Sequence, residues 1–165
     1  MQVEIVARLL QRELRTLRQQ VELYPDDRSL CVELTGSRNP GGNLALHLCG
    51  NLQHFIGGVL GGSGYVRDRE AEFQRRDLNR AELLREIDTT MQIVDKTLRS
   101  LRPERWEAEF PLEIAGQRLS TPMFLTHLCV HLGYHLGQLD AHRRAISGNF
   151  ETPPALSPAA LATPA

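Results

Sequence analysis

Apolar residues recur at alternating steps of three and four positions along most of this chain, and that spacing is typical of amphipathic α-helices. The first stripe is Val3, Val6, Leu10, Leu14, Leu17 and Val21, and the most regular one is Leu84, Ile87, Met91, Val94, Leu98 and Leu101. Two further helices are predicted, one over about 43–60 and one from about 120 to about 146. Four helices of this length with polar linkers predict an all-α protein that folds as a four-helix bundle.

Polar residues at the expected helix starts predict where three of these helices begin. Asn43 and Asn79 are predicted N-caps of the second and third helices, and Ser120 or Thr121 is predicted to cap the last one. Between the third and last helices, residues 106–119 alternate over a few positions before a Gly-containing turn. They predict a short β-hairpin or an extended crossover before the last helix.

Length and composition limit the domain count and the partners. Residues 1–148 are predicted to form one domain, and the Pro- and Ala-rich segment 149–165 a disordered tail. A net charge of −1 offers no basic surface for nucleic acid, and no apolar run approaches the roughly 20 residues that cross a bilayer. The N-terminus has neither a signal-peptide nor a transit pattern, so a cytoplasmic location is predicted. The three cysteines have no metal-site spacing and are predicted to be free thiols.

Histidines are concentrated on the predicted last helix. His127, His131 and His135 lie one turn apart along the margin of the leucine stripe that faces the core. Two imidazoles at positions i and i+4 supply half of a site for a divalent metal. The alternative is that these histidines are structural residues with ordinary hydrogen bonds. His142 continues the same stripe and is predicted to lie on the surface.

A complete site needs a third ligand from another helix. His47 lies beside the leucine stripe of the second helix, so it can approach the His131–His135 pair if the two stripes pack together. Its rival is His54, which lies only about 20° away on the helical wheel. The charged passage 67–76 is predicted to be a solvated face. No acidic residue is expected near the histidines, and the catalytic residues are left unknown.

Three blocks of sequence resemble one known family. The segment from His131 to Gln138, HLGYHLGQ, is similar to the HxxxHxGQ signature of the DinB superfamily. The segment HLCGNL, which begins at His47, resembles the HLxGNL segment of the DUF1572 branch of that superfamily. The segment RDREAEF, which begins at Arg67, is similar to the RDxEF stretch of the same branch. The similarity extends over roughly residues 43–148.

The resemblance implies a four-helix bundle, often dimeric, that holds a divalent metal ion, nickel or zinc, through His47, His131 and His135. Gln138 is then expected to line the pocket or to hydrogen-bond a ligand imidazole, and the alternative is a plain structural hydrogen bond. His127 and Asn51 are expected beside the ligands or in the pocket wall. Three nitrogen donors by themselves suit zinc, nickel, cobalt and iron alike.

The resemblance also implies two kinds of activity. Some relatives are implied to transfer small thiols, such as bacillithiol or mycothiol, onto electrophiles, and others to hydrolyse amides. In both, a metal ion would make a nucleophile from a thiol or from water. The resemblance therefore implies a metal-dependent thiol S-transferase or hydrolase that acts on a small molecule as a homodimer. The alternative is a non-catalytic metal-binding or structural oligomeric bundle, and whether the protein is an enzyme is left open.

Overall fold

The computed structural model describes residues 2–162 and has an all-α fold, as the sequence predicted. The helices are α1 (Gln2–Glu22), α2 (Gly41–Leu52), α3 (Arg69–Gln74), α4 (Arg80–Arg99), α5 (Pro103–Glu107) and α6 (Thr121–Ser147). α2 continues directly into a π-helix, Gln53–Leu60. The described residues form no β-strand, and none of their helices is long and apolar enough to cross a bilayer.

The four long helices pack as a four-helix bundle. α4 and α6 each contact both α1 and α2, so α1 and α2 lie at opposite corners of the bundle. Along α2, the His47 ring lies beside His131, and the Phe55 ring in the following π-helix lies against Phe124. Because the chain number rises on one helix as it falls on the other, α2 and α6 are antiparallel. Leucine, isoleucine and valine side chains at most of the predicted stripe positions fill the core, but at the start of α4 the buried leucine is Leu83 and the predicted Leu84 is only partly buried.

Most predicted helix ends are confirmed by their hydrogen bonds. Asn79 Oδ1 accepts from the backbone N–H of Glu82 at 2.8 Å, which caps α4. Ser120 Oγ accepts from the N–H of Met123 and caps α6. Gly148 ends α6 with φ +64°, a left-handed conformation that glycine adopts without strain.

The predicted N-cap at Asn43 is wrong. α2 begins at Gly41, two residues earlier, after Pro40. The Asn43 side chain is fully buried and donates to the backbone oxygens of Glu72 at 2.8 Å and Arg75 at 3.0 Å. A capping residue and a buried amide look alike in sequence, since both precede an apolar stripe. Here the amide fastens the α3 segment onto α2.

The predicted crossover before α6 is extended. Isolated antiparallel bridges join Glu109 to Ser120 and Ile114 to Gln117. Ala115 and Gly116 form the turn between Ile114 and Gln117, with φ +50° and +75°. The two bridges are too few to make strands, so this connection leaves the all-α class unchanged.

The chain after α6 returns to α1. Residues 149–162, for which the sequence predicted disorder, form two short 3₁₀ turns at Pro154–Leu156 and Pro158–Leu161. Ala155 is buried, and its N–H donates to Gln19 Oε1 at 3.0 Å. Such turns have no helical period, so the sequence pattern did not reveal them. Residues 163–165 of the predicted tail lie outside the described residues.

Candidate metal centre

Three imidazole rings meet between α2 and α6. The ring centroids of His47, His131 and His135 are 5.2, 5.1 and 4.5 Å apart in the pairs 47–131, 47–135 and 131–135. The Nε2 atoms of His47 and His131 are 3.3 Å apart, and one nitrogen from each ring lies within 4.8 Å of the other two. Two nitrogens that share a tetrahedral ion at bond lengths of about 2.1 Å are about 3.4 Å apart. The group could therefore hold a metal ion.

The position of each histidine follows from its helix. His131 and His135 are one turn apart at the edge of the buried face of α6, and both are half-buried. His47 lies at the edge of the leucine stripe of α2 and is buried. The Phe73 ring packs against the His47 ring at a centroid distance of 4.8 Å and forms one wall. The group is thus enclosed on the α2 side and reachable from solvent along α6.

A buried ion pair contacts the other nitrogen of His47. Glu72 Oε2 lies 3.0 Å from His47 Nδ1. Arg67 donates from Nε to Glu72 Oε1 at 2.6 Å and from Nη2 to Glu72 Oε2 at 2.8 Å. The carboxylate side chain is only 6% exposed. His47 therefore has one ring nitrogen directed toward the other imidazoles and one directed toward a carboxylate.

Gly50 provides the space for this carboxylate. A Cβ atom at position 50 would lie 2.1 Å from Glu72 Oε1 and 2.9 Å from Glu72 Cδ. Gly50 lies three residues after His47 on α2, so it is on the same side of the helix. The absence of a side chain there lets Glu72 rest on the backbone of α2 beside the histidine.

Neither member of this ion pair was predicted to lie near the histidines. The prediction of a solvated face is wrong for Arg67 and Glu72, and so is the expectation that no acidic residue lies near the histidines. α3 is only six residues long, which is too short for a hydrophobic period to show which face is buried. The available signals were the RDxEF resemblance and the glycine of the segment HLCGNL.

A second polar chain contacts His135. Gln138 Oε1 lies 2.7 Å from His135 Nδ1, and Gln138 Nε2 donates to the Tyr134 hydroxyl at 3.1 Å. The amide oxygen can only accept, so Nδ1 of His135 carries the proton. Nε2 of His135 is then the unprotonated nitrogen of the neutral ring. Gln138 thus hydrogen-bonds one of the three grouped imidazoles, as one of the sequence alternatives expected.

His54 and His127 lie outside the group. The His54 ring packs on Phe55, with centroids 4.7 Å apart. The π-helix begins at residue 53, so the α-helical wheel that made His54 equivalent to His47 no longer applies there. His127 is exposed, stacks on Phe124 at 6.0 Å and lies 6.1 Å from His131 between ring centroids.

The predicted surface position of His142 is wrong. This residue is buried under the connection that follows α1. The Tyr24 hydroxyl lies 2.8 Å from its Nδ1, and its Nε2 lies 2.9 Å from the backbone oxygen of Val32. The carbonyl can only accept, so Nε2 donates to it and the tyrosine donates to Nδ1. Both ring nitrogens are occupied, and His142 is a structural residue.

Asn51 lies one turn after His47 on the same side of α2 and is only 7% exposed. Its Oδ1 is buried and accepts no hydrogen bond from any residue in 2–162. A buried amide oxygen without a partner costs about 1–3 kcal/mol of stability. That Asn51 lines the pocket stays a prediction. The observation that supports it is the buried Oδ1 atom without a hydrogen-bond partner.

Burial keeps the α6 imidazoles neutral. It is the main cause that lowers the pKa of His131 to about 4, and the neighbouring His135 and His47 rings add to it. Burial also lowers the pKa of His135, although the hydrogen bond that Nδ1 donates to Gln138 Oε1 acts in the opposite direction. For Glu72, burial raises the pKa, but the hydrogen bonds to His47 and Arg67 outweigh it and leave the pKa below its ordinary value. At neutral pH His131 and His135 are therefore in the neutral form that binds metals, and Glu72 is ionised.

The fold and the site together define an all-α bundle protein with a three-histidine group that could hold a metal ion. The chain belongs to the DUF1572 family, because the model of that family, described as a protein of unknown function, matches residues 5–151. The match includes all three grouped histidines and the Arg67–Glu72 pair. A comparison with characterised proteins finds no match to this sequence. The wider DinB resemblance stays a prediction.

Proposed function

We propose that this protein binds one divalent metal ion through His47, His131 and His135. The observation that carries the proposal is the 3.3 Å separation of the His47 and His131 Nε2 atoms, in a group where His135 has a nitrogen within 4.8 Å of the other two rings. Neutral imidazoles suit nickel and zinc, the two ions that we propose. The fit is better for a nitrogen site than for a thiolate site, since burial raises the pKa of Cys49 on α2 to about 12 and that of Cys129 on α6 to about 11.

We further propose that the site activates a small molecule that enters along α6. A divalent ion with three neutral imidazole ligands supplies Lewis acidity, which lowers the pKa of a water or a thiol near it. The chain contributes a closed wall at His47 and Phe73 and a solvent-facing side at His131 and His135. A metal-dependent thiol S-transferase or hydrolase is the corresponding class of enzyme.

The position of Glu72 favours thiol transfer over hydrolysis. Glu72 contacts Nδ1 of His47, whereas the other two imidazoles lie on the Nε2 side, and both carboxylate oxygens are engaged by Arg67. This carboxylate is therefore badly placed to take a proton from a molecule on the open side. A thiolate attacks without a separate base, whereas hydrolysis gains from one.

A homodimer stays a proposal, and one face of α6 supports it. Met123, Val130 and Tyr134 are exposed and lie within about 40° of one another on the helical wheel. Gly133 and Gly137 lie beside them, and apart from the adjoining backbone of α6 nothing in residues 2–162 comes within 4 Å of a Cβ built at either glycine. No helix of the described bundle covers this face, so a second copy is the proposed occupant. Light scattering of the purified protein, with Val130→Arg as the disrupting variant, tests it.

Metal content tests the first proposal. Freshly purified protein is expected to carry about one nickel or zinc ion per chain, measured by elemental analysis. A double variant, His131→Ala with His135→Ala, is expected to carry none. The matched control is His54→Ala with His127→Ala, which removes two histidines from α6 and the π-helix but leaves the group intact. Equal metal content in both double variants would contradict the proposal and favour structural histidines.

A thiol-transfer assay tests the second proposal. With monochlorobimane as electrophile, the thiol sulfur bonds to the bimane carbon, chloride leaves and the thiol proton passes to the buffer. A panel of low-molecular-weight thiols is expected to contain one whose conjugation the metal-loaded protein accelerates, and the His131→Ala, His135→Ala variant is expected not to. Metal binding without turnover of any thiol, ester or amide would favour the alternative of a non-catalytic metal-binding bundle.

A further inference from the structure

The carboxylate of Glu72 determines how His47 can present itself to the other two imidazoles. An ionised carboxylate can only accept hydrogen bonds, and its Oε2 lies 3.0 Å from His47 Nδ1. The single proton of a neutral His47 ring therefore belongs on Nδ1. Nε2 is left with its lone pair, and this is the atom that lies 3.3 Å from His131 Nε2.

Arg67 fixes the carboxylate itself. It donates from two of its nitrogens to the two oxygens of Glu72, in the bidentate geometry that holds a carboxylate most firmly. Its Nη2 also lies 3.2 Å from His47 Nδ1. Since both of these atoms carry protons in this arrangement, the guanidinium acts on His47 through Glu72 and not by a bond of its own.

Stability alone is a weak reason for this arrangement. Both side chains of the pair are largely buried, and the cost of removing two charges from water offsets most of the attraction between them. The pair also needs Gly50, and glycine inside a helix costs about 1 kcal/mol relative to alanine. The ion pair adds little to stability, but it contacts one of three converging imidazoles. A role in the metal site therefore explains its presence better than a role in stabilising the fold.

We propose that Glu72 and Arg67 are positioning residues of the metal centre: Glu72 sets the tautomer and orientation of His47, and Arg67 holds Glu72 in place over Gly50. This inference rests on the proposed function. A carboxylate on the outer nitrogen of a ligand histidine commonly changes metal affinity by 10–100-fold. The charged segment RDREAEF then belongs to the metal site, although it provides no ligand.

Metal affinity of the folded protein tests this inference. Zinc dissociation constants are measured by competition with a chromophoric chelator for the wild type, Glu72→Gln and Gly50→Ala. Both variants are expected to bind zinc roughly 10–100-fold more weakly. The matched control is Glu82→Gln, because Glu82 makes the same kind of bidentate pair with Arg75 and has no contact with the three histidines. Its affinity is expected to equal that of the wild type.

The cobalt absorption spectrum separates positioning from a general loss of structure. Co²⁺ bound to the folded Glu72→Gln protein is expected to give visible bands that are shifted or weakened relative to the wild type, since the His47 ring is no longer held. The double variant Arg67→Gln with Glu72→Gln removes both buried charges at once. It is expected to fold and still to bind zinc weakly, because neither glutamine supplies a fixed carboxylate.

Each failure has its own signature. If Glu72→Gln and Gly50→Ala bind zinc as tightly as the wild type and give the same cobalt spectrum, while His131→Ala binds none, the positioning role is overturned and the proposed metal site stands. If the wild type binds neither zinc nor cobalt, the proposed function is overturned, and the inference with it.

Discussion

The Nε2 atoms of His47 and His131 face each other at 3.3 Å, although 84 positions separate these two residues in the chain. Two neutral imidazoles accept this contact, but two charged ones would repel each other in a site largely removed from water. Burial is the main cause that lowers the pKa of His131 to about 4, and repulsion from the neighbouring His135 and His47 rings lowers it further. The burial and close packing that suit a shared ion therefore make the metal-free protein sensitive to acid.

The first prediction concerns the stability of the metal-free protein between pH 6.5 and about 4. The pKa of His131 is about 4 in the folded state and 6.5 for the ordinary side chain, so the unfolded chain binds more protons between these values. The stabilising contribution of neutral His131 is complete above pH 6.5 and is lost as the pH falls toward 4. Chemical denaturation with a chelator present is expected to show this decline, and His131→Gln is expected to flatten it.

His127→Gln is the control for that measurement. His127 is an exposed histidine of the same helix, one turn from His131. Its replacement is expected to change the pH dependence of the unfolding free energy much less than His131→Gln does, because His127 is only a minor cause of the lowered pKa of His131. A decline of equal slope in the wild type and in His131→Gln would contradict the assignment to His131.

The second prediction is that a divalent metal ion stabilises the folded protein. An ion present at 100 times its dissociation constant adds about 2.7 kcal/mol to the free energy of unfolding. For a domain of this size that corresponds to a rise in Tm of roughly 5–10 °C. Calorimetry is expected to show the rise with zinc or nickel in the wild type and in His54→Gln. In His47→Gln the rise is expected to be lost, and a full shift there would argue for a different third ligand.

The bundle could be predicted from sequence because leucines at three- and four-residue steps dictate both the helices and the faces they bury. The choice between His47 and His54 could not be made in that way. The wheel assumes 3.6 residues per turn, and the π-helix beginning at Gln53 breaks that assumption between the two histidines. Glu72 escaped notice for another reason, since burial of a charged residue on a six-residue helix depends on tertiary contacts that no local pattern records.

The third prediction contrasts two buried asparagines of α2. Asn51 Oδ1 has no hydrogen-bond partner in the described part of the chain, so Asn51→Leu is expected to raise the free energy of unfolding by about 1 kcal/mol. Asn43 donates to two backbone oxygens, so Asn43→Leu is expected to lower it by about 2 kcal/mol. Urea denaturation of the metal-free proteins gives both values. Destabilisation by Asn51→Leu as large as that by Asn43→Leu would mean that the Asn51 amide is satisfied.

The last prediction concerns Arg143, whose side chain is 0% exposed. Its guanidinium donates to Gln20 and Asp140 and also to the backbone oxygens of Asn149 and Glu151 at 2.7 and 2.9 Å. A chain that ends after Gly148 loses both backbone acceptors and leaves a buried charge with fewer partners.

A second truncation separates these acceptors from the rest of the segment. A chain that ends after residue 152 keeps both oxygens and loses only the 3₁₀ turns that pack on α1. The shorter chain is expected to be less stable than the longer one by at least about 1.5–3 kcal/mol, because it loses two hydrogen bonds to a charged group and each carries about that much. Thermal unfolding of the two truncated proteins measures the difference. Equal Tm values would show that the hydrogen bonds from Arg143 to the oxygens of Asn149 and Glu151 do not stabilise the protein. The segment after α6 would then be held to the bundle only by its contacts with α1.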